Sequence, residues 1–225
     1  MNHYDLPLEV IERHATPRGE IQLQRRGTFF EIISNGTFLM ATYNGESERL
    51  LLREPLKRTS HPTSVLIGGL GVGYSLQEAL SDPRVEKVTV IEIEDTIIEW
   101  NHTILSTVSG GAVKHPKARI VHADCLEWLR QNDEHFDLIC LDIDNGPDWH
   151  VYVQNETLYS NYGLALLARH LQPDGCLSFW SATSSPEFVT SLKQHFKVVD
   201  VLYVPQERGE PDAIFLTQHP IVQAV

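Results

Sequence analysis

Only three cysteines, Cys125, Cys140 and Cys176, occur among 225 residues, and none stands in a CxxC pair. That excludes a disulfide scaffold or a thiolate zinc site and fits a reducing, cytoplasmic location. Basic residues are also few: 18 Lys+Arg against 30 Asp+Glu leave a net charge of −12. Phosphate backbones need a basic face, so nucleic acid is not expected as a partner, whereas a small cationic or neutral molecule is. No apolar run approaches the roughly 20 residues of a membrane span, so no membrane partner is expected. The opening MNHYDLPLEVIERH carries charges where a secretory leader would be continuously apolar. The 11 histidines form no HExxH pair, and no serine elbow is present. No metal is therefore expected.

What is present is a chain with 42% apolar residues, long enough to bury a core. Residues 1–54 alternate short apolar runs with turns: EIQLQRR, FFEIIS and TFLMATY, separated by GT and NG. These predict three antiparallel strands, a unit too small to stand alone. ESERLLLREPLKR then predicts a short helix stopped at Pro55. From residue 63 to 225 the pattern becomes strand, glycine turn, helix, strand. The strand candidates SVLIGG, KVTVIEI, ARIVHA, FDLICLDI and CLSFWSA are apolar on both faces, as in a parallel sheet covered by helices. FKVVDVLYVP and DAIFLTQ predict a closing strand pair. The fold class is α/β: a doubly wound, Rossmann-like sheet with a small N-terminal antiparallel β-unit.

Chemistry concentrates at the strand ends. Gly69, Gly71 and Gly73 follow the first strand in GxGxG spacing, where backbone can approach a ligand closely. Tyr74 replaces the last glycine of a dinucleotide fingerprint, which disfavours a nicotinamide dehydrogenase. Glu92 ends the next strand about twenty residues on, where a carboxylate accepts two ribose hydroxyls. Glu94 and Asp95 beside it suit the first turn of the following helix. Asp124 ends the third strand and can take an adenine amino hydrogen, cap the helix CLEWLRQ, or do both, while the Cys125 backbone can serve a ring nitrogen. Asp142, Asp144 and Asp148 fall on the fourth strand and its loop, but Gly146 stands one place too early for a calcium loop. Trp149, Tyr159 and Trp180 are candidates to line a pocket at this edge, or else core.

In that order these motifs resemble the class I S-adenosylmethionine-dependent transferases and, more narrowly, the spermidine synthase family. LIGGLGVGYSLQEAL, VTVIEIE, HADCLEWL, FDLICLDID and LYSNYGLALLARHLQPDG carry the resemblance over most of the chain. It implies S-adenosylmethionine or its decarboxylated form as group donor, a small-molecule amine acceptor and a possible homodimer. Gly69, Gly71 and Gly73 would cradle the methionine-like tail, Glu92 the ribose and Asp124 with Cys125 the adenine. Asp142 falls on the family's catalytic aspartate, with Asp144 as its acidic neighbour. The departures keep alternatives open. Val72 replaces an aspartate that faces the donor's amine tail, and the family's polyamine-contacting residues fall on Leu51, Leu52, Gly19 and Leu39. Aminopropyl transfer, methyl transfer to another small acceptor, and nucleoside binding without catalysis are all compatible with this pattern.

Overall fold

The computed structural model describes residues 6–149, 152–207 and 209–221. Residues 1–5, which open the expected N-terminal unit, lie outside the described residues. That unit contains four strands rather than three: β1 (Leu8–Thr16), β2 (Gly19–Arg26), β3 (Phe29–Ser34) and β4 (Thr37–Ala41), in the antiparallel order β1-β2-β3-β4. The extra strand, β1, is an edge strand exposed along most of its length. Its Glu9, Glu12 and Arg13 blunt that edge, and the same charges hide its strand character in the sequence.

Helix α1 (Glu46–Arg58) runs through Pro55 instead of stopping there. A proline lacks the N–H that would bond the carbonyl four residues back, which is that of Leu51. Here that carbonyl has other donors: Ser178 Oγ at 2.8 Å and Cys140 Sγ at 3.6 Å, both from strands beneath the helix. The helix is thereby fastened to the larger sheet.

The larger sheet comprises β5 (Ser64–Gly68), β6 (Lys87–Glu92), β7 (Ala118–His122), β8 (Phe136–Leu141), β9 (Leu171–Ser181), β10 (Phe196–Val204) and β11 (Asp212–Pro220), ordered β10-β11-β9-β8-β5-β6-β7. The first five are parallel to one another. β11 inserts antiparallel beside β9 and leaves β10 outermost, so the expected closing pair makes the sheet mixed. Helices α2 (Tyr74–Ser81), α3 (Asp95–His102), α4 (Cys125–Gln131), α5 (Glu156–Tyr159), α6 (Asn161–His170) and α7 (Pro186–His195) complete the fold. The single helix expected over LYSNYGLALLARHL is broken at Ser160, whose hydroxyl caps α6 by accepting from Gly163 N.

The sheet order reverses at β5. The chain steps from β5 to β6 and β7, then returns to β8 on the other side, opening a crevice at the carboxyl ends of the strands. Ile21, Leu23 and Ile32 of the small sheet share one core with Leu51, Val65 and Val90, so the β-unit is packed over that crevice. Among the described residues, no helix is long and apolar enough to cross a membrane.

Candidate active site

Two adjoining cavities occupy the crevice, of about 320 Å³ and about 410 Å³. Leu39, Met40, Glu48, Asn145 and Trp180 belong to the walls of both, so they form one cleft with two chambers. The first chamber gathers Gly69, Gly71, Glu92, Asp124, Cys125, Asp142 and Asp144, seven of the eight residues picked out in the sequence.

The eighth, Gly73, does not line the cleft. Its left-handed backbone caps α2, and a Cβ there would collide with Ser109. Gly69 is the glycine on which the site's geometry depends. Its φ of 89° favours glycine, and a Cβ would run into the Asp142 carbonyl, so the loop lies directly against the end of β8.

Glu92 is buried, with Oε2 accepting from Leu70 N at 2.8 Å and Oε1 from Glu94 N at 2.8 Å. Burial raises its pKa, and the two backbone amides offset only part of that rise. Each oxygen keeps a lone pair for a further donor. Asp124 caps α4 by accepting from Glu127 N at 2.9 Å while remaining on the chamber wall, so capping and ligand binding are compatible in one residue. Cys125 opens α4, where the first amides lack intrahelical partners.

The two acids of the fourth strand separate in role. Asp142 is half-buried on the chamber wall, and desolvation, with the Asp212 and Glu92 carboxylates nearby, pushes its pKa up to about 7. Asp144 accepts from Asn145 N at 2.9 Å, Asn155 Nδ2 at 2.8 Å and Tyr152 N at 3.4 Å. It holds the following loop against the chamber. The same loop reaches the small sheet through Tyr152 Oη and Ser34 Oγ, 2.6 Å apart.

Several expectations change. Val72 is fully buried in the core, its N–H against Met40 Sδ, and does not line either chamber. Leu51 and Leu52 are core residues too. The face of α1 that reaches the cleft is one turn earlier, where Glu48 stands with Ser47 beside it, so this helix does supply a carboxylate to the site. Glu94 and Asp95 open α3 as expected, at its N-cap and in its first turn, but Glu94 is also buried, lines the first chamber and accepts from Arg18 Nε at 2.8 Å. Arg18 also donates to the Ile93 carbonyl at 2.6 Å, clasping the small sheet to the end of β6. Sequence reasoning passed over Glu48 and Arg18; the signal available was a charge beside apolar positions that fold inward. Of the aromatics, Trp180 lines both chambers, Trp149 lines the second while 52% exposed, and Tyr159 packs on Phe179 and Phe188 in the core. Among the described residues, no group of three or more His, Cys, Asp or Glu side chains is arranged to hold a metal ion.

A mixed sheet with this strand order, preceded by a four-stranded antiparallel unit, defines a class I methyltransferase-like fold. Two solved spermidine synthases share it: one in complex with the transition state analogue AdoDATO (TM-score 0.79, 22% identity, 92% of this chain and 73% of that one), and one from Thermotoga maritima (0.76, 20%, 92% and 72%). The spermine/spermidine synthase domain model matches residues 46–205, and the chain belongs to that family. Among curated relatives, the polyamine aminopropyltransferase of Mycobacterium tuberculosis H37Rv is 33% identical over 171 residues, 75% of this chain and 32% of the relative. That of Saccharolobus solfataricus is 29% identical over 163 residues, 71% and 52%. The chain thus spans about a third to about half of the length of these relatives.

Proposed function

We propose that this protein is a transferase that moves an aminopropyl group from decarboxylated S-adenosylmethionine to a small amine acceptor. The observation that carries the reading is the place of Asp142, just beyond the end of β8 on the wall of the chamber that also contains Gly69, Glu92 and Asp124, with other carboxylates near enough to push it up to about 7. The amine must be neutral to attack. Passing a proton from an ammonium of pKa about 10.4 to an ordinary aspartate is uphill by about 9 kcal/mol, and to one near 7 by about 5. Burial thus makes Asp142 a usable base.

In this reading Glu92 accepts the ribose hydroxyls, Asp124 and the Cys125 amide meet the adenine, and the glycine loop carries the tail past Asp142. The neutral nitrogen forms a bond to the carbon next to the sulfonium. The C–S electron pair goes to sulfur, leaving a thioether, and the positive charge moves to nitrogen.

Charge also favours the decarboxylated donor. Among the described residues lining the two chambers, Arg18 is the only basic side chain, and it is engaged by Glu94. A donor carboxylate would meet Glu48 and Asp142 with no free cation to offset them, so methyl transfer from S-adenosylmethionine itself is the weaker reading. Calorimetry with decarboxylated S-adenosylmethionine, S-adenosylmethionine and methylthioadenosine tests this. Tighter binding of the decarboxylated form, followed by aminopropyl transfer to a diamine, is expected. Tighter binding of S-adenosylmethionine would overturn the donor assignment, and donor binding without turnover of any amine would leave a nucleoside-binding protein.

A further inference from the structure

Glu48 has no place in the reaction as described so far. It is 5% exposed, belongs to the walls of both chambers and makes no ion pair among the described residues. Its Oε2 accepts from Ser47 Oγ at 3.0 Å. The charged groups acting on it come from two other elements, Asp142 beyond the end of β8 and Asp212 on β11, and its own charge reaches the Tyr74 hydroxyl on α2, which donates to the Thr42 carbonyl. Arg49, its neighbour on α1, is turned away, bonded to Gln77 and stacked over Tyr74. Two buried amide atoms in the same walls also lack partners among the described residues: Asn145 Nδ2, in both chambers, and Asn44 Oδ1, in the second. Buried polar groups are ordinarily satisfied, so two unpartnered amide atoms in the walls that also hold a carboxyl without a cation mark space shaped for a polar ligand.

We infer, building on the proposed transfer reaction, that Glu48 is a second proton-accepting carboxyl of the acceptor site, working with Asp142 as a pair that holds one proton between them. The acceptor ammonium, entering through the second chamber, gives its proton to the ionised member of the pair. The nitrogen lone pair then forms the C–N bond as the C–S pair leaves on sulfur. The proton stays on the carboxyl and returns to water through the second chamber, where Asp212, Glu207 and Glu210 line the way out. Charge balances: ammonium, carboxylate and sulfonium become a substituted ammonium, a carboxylic acid and a thioether. The physical basis is that two carboxyls sharing a buried site do not ionise together, so one stays protonated where free acids would have lost theirs. Burial first, then the Asp142 charge, pushes the Glu48 carboxyl up to about 8.

The test reads protons rather than turnover alone. Titrating decarboxylated S-adenosylmethionine into the protein at pH 8, in buffers of different ionisation enthalpy, counts the protons released when a sulfonium settles beside the pair. About half a proton is expected for the wild type, since a group titrating near 8 is half protonated there. In Glu48→Gln the release should fall to about a tenth or less, with donor affinity at pH 8 weakened about fivefold or more because the neutral amide offers the sulfonium no counter-charge, and Glu48→Asp should restore most of both. The acid limb of kcat/KM for a diamine should also lose one proton of steepness in Glu48→Gln. Equal proton release by wild type and Glu48→Gln would overturn the pairing. Failure of the wild type to bind the donor would instead overturn the parent reading.

Discussion

Asp142 and Glu92 are carboxyls of one chamber, Glu92 buried and Asp142 half-buried, and their surroundings give them different work. Glu92 is clamped by two backbone amides, so it is fixed as an acceptor. Asp142 is pushed up by burial and neighbouring carboxylates, so it is poised to take a proton. Asp142→Asn is therefore expected to abolish amine transfer, by about a thousandfold or more in kcat, while calorimetric donor affinity stays within about threefold. Retained turnover would remove Asp142 as the base. Glu92→Gln should do the opposite, because one amide nitrogen would then face a backbone N–H and a ribose donor. A loss of donor affinity of about tenfold or more is expected by the same calorimetry. Glu92, Asp124 and Asp142 were legible in the sequence because each terminates an apolar strand, and strand ends in a parallel sheet share an edge. Glu48 was not, because nothing local fixes which turn of α1 meets the cleft. That is settled by how α1 lies on the sheet, and the expected positions Leu51 and Leu52 fall on its core side.

At the scale of elements, the parallel strands were readable from two-sided apolar runs, whereas the helix bounds were not, and Pro55 shows why. A proline ends a helix when the carbonyl it strands must look to water. Here Ser178 and Cys140 lie underneath to take it. Ser178→Ala should leave the Leu51 carbonyl buried with only a weak thiol donor, costing about 1–3 kcal/mol in urea unfolding with an unchanged m-value. A second element-level contact joins the small sheet to the donor chamber through Arg18 and Glu94. Arg18→Ala would leave Glu94 buried without its cation. Loss of one partner of a buried pair costs about 3–5 kcal/mol, and partial exposure of Arg18 places the expected loss at the lower end. Donor affinity should fall with it, since the clasp holds the wall of the first chamber. Unchanged melting and affinity in this variant would show that the hydrophobic core shared by the two sheets suffices.

For the whole molecule, the acidic balance read from composition acquires a location, because the cleft gathers carboxyls that ligand-free protein holds at a cost. Asp142 and Glu48 have folded pKa values of about 7 and about 8, above their ordinary 3.8 and 4.5. Raised values mean that the folded state binds more protons than the unfolded state between those limits. The contribution of these groups is therefore fully favourable below about pH 4 and is lost as pH rises to about 8. Asp82, Glu12 and Glu134, each lowered by hydrogen bonds to neighbouring side chains, act in the reverse sense and lose stability on acidification below about pH 4. Stability of the free protein should consequently peak near about pH 5 and decline by about 1 kcal/mol or more by pH 8.5, measured by urea unfolding. Glu48→Gln removes a buried ionisable group while keeping its shape, so it should flatten that decline and be the more stable protein at pH 8.5, by about 1–4 kcal/mol. A cationic donor supplies the counter-charge from outside, so its stabilising effect at a fixed multiple of its Kd at pH 5.5 should be larger at pH 8.5, where the pair is ionised. Equal stability of wild type and Glu48→Gln across this range would mean that the cleft carboxyls stay hydrated, and the electrostatic account of the site would fail with them.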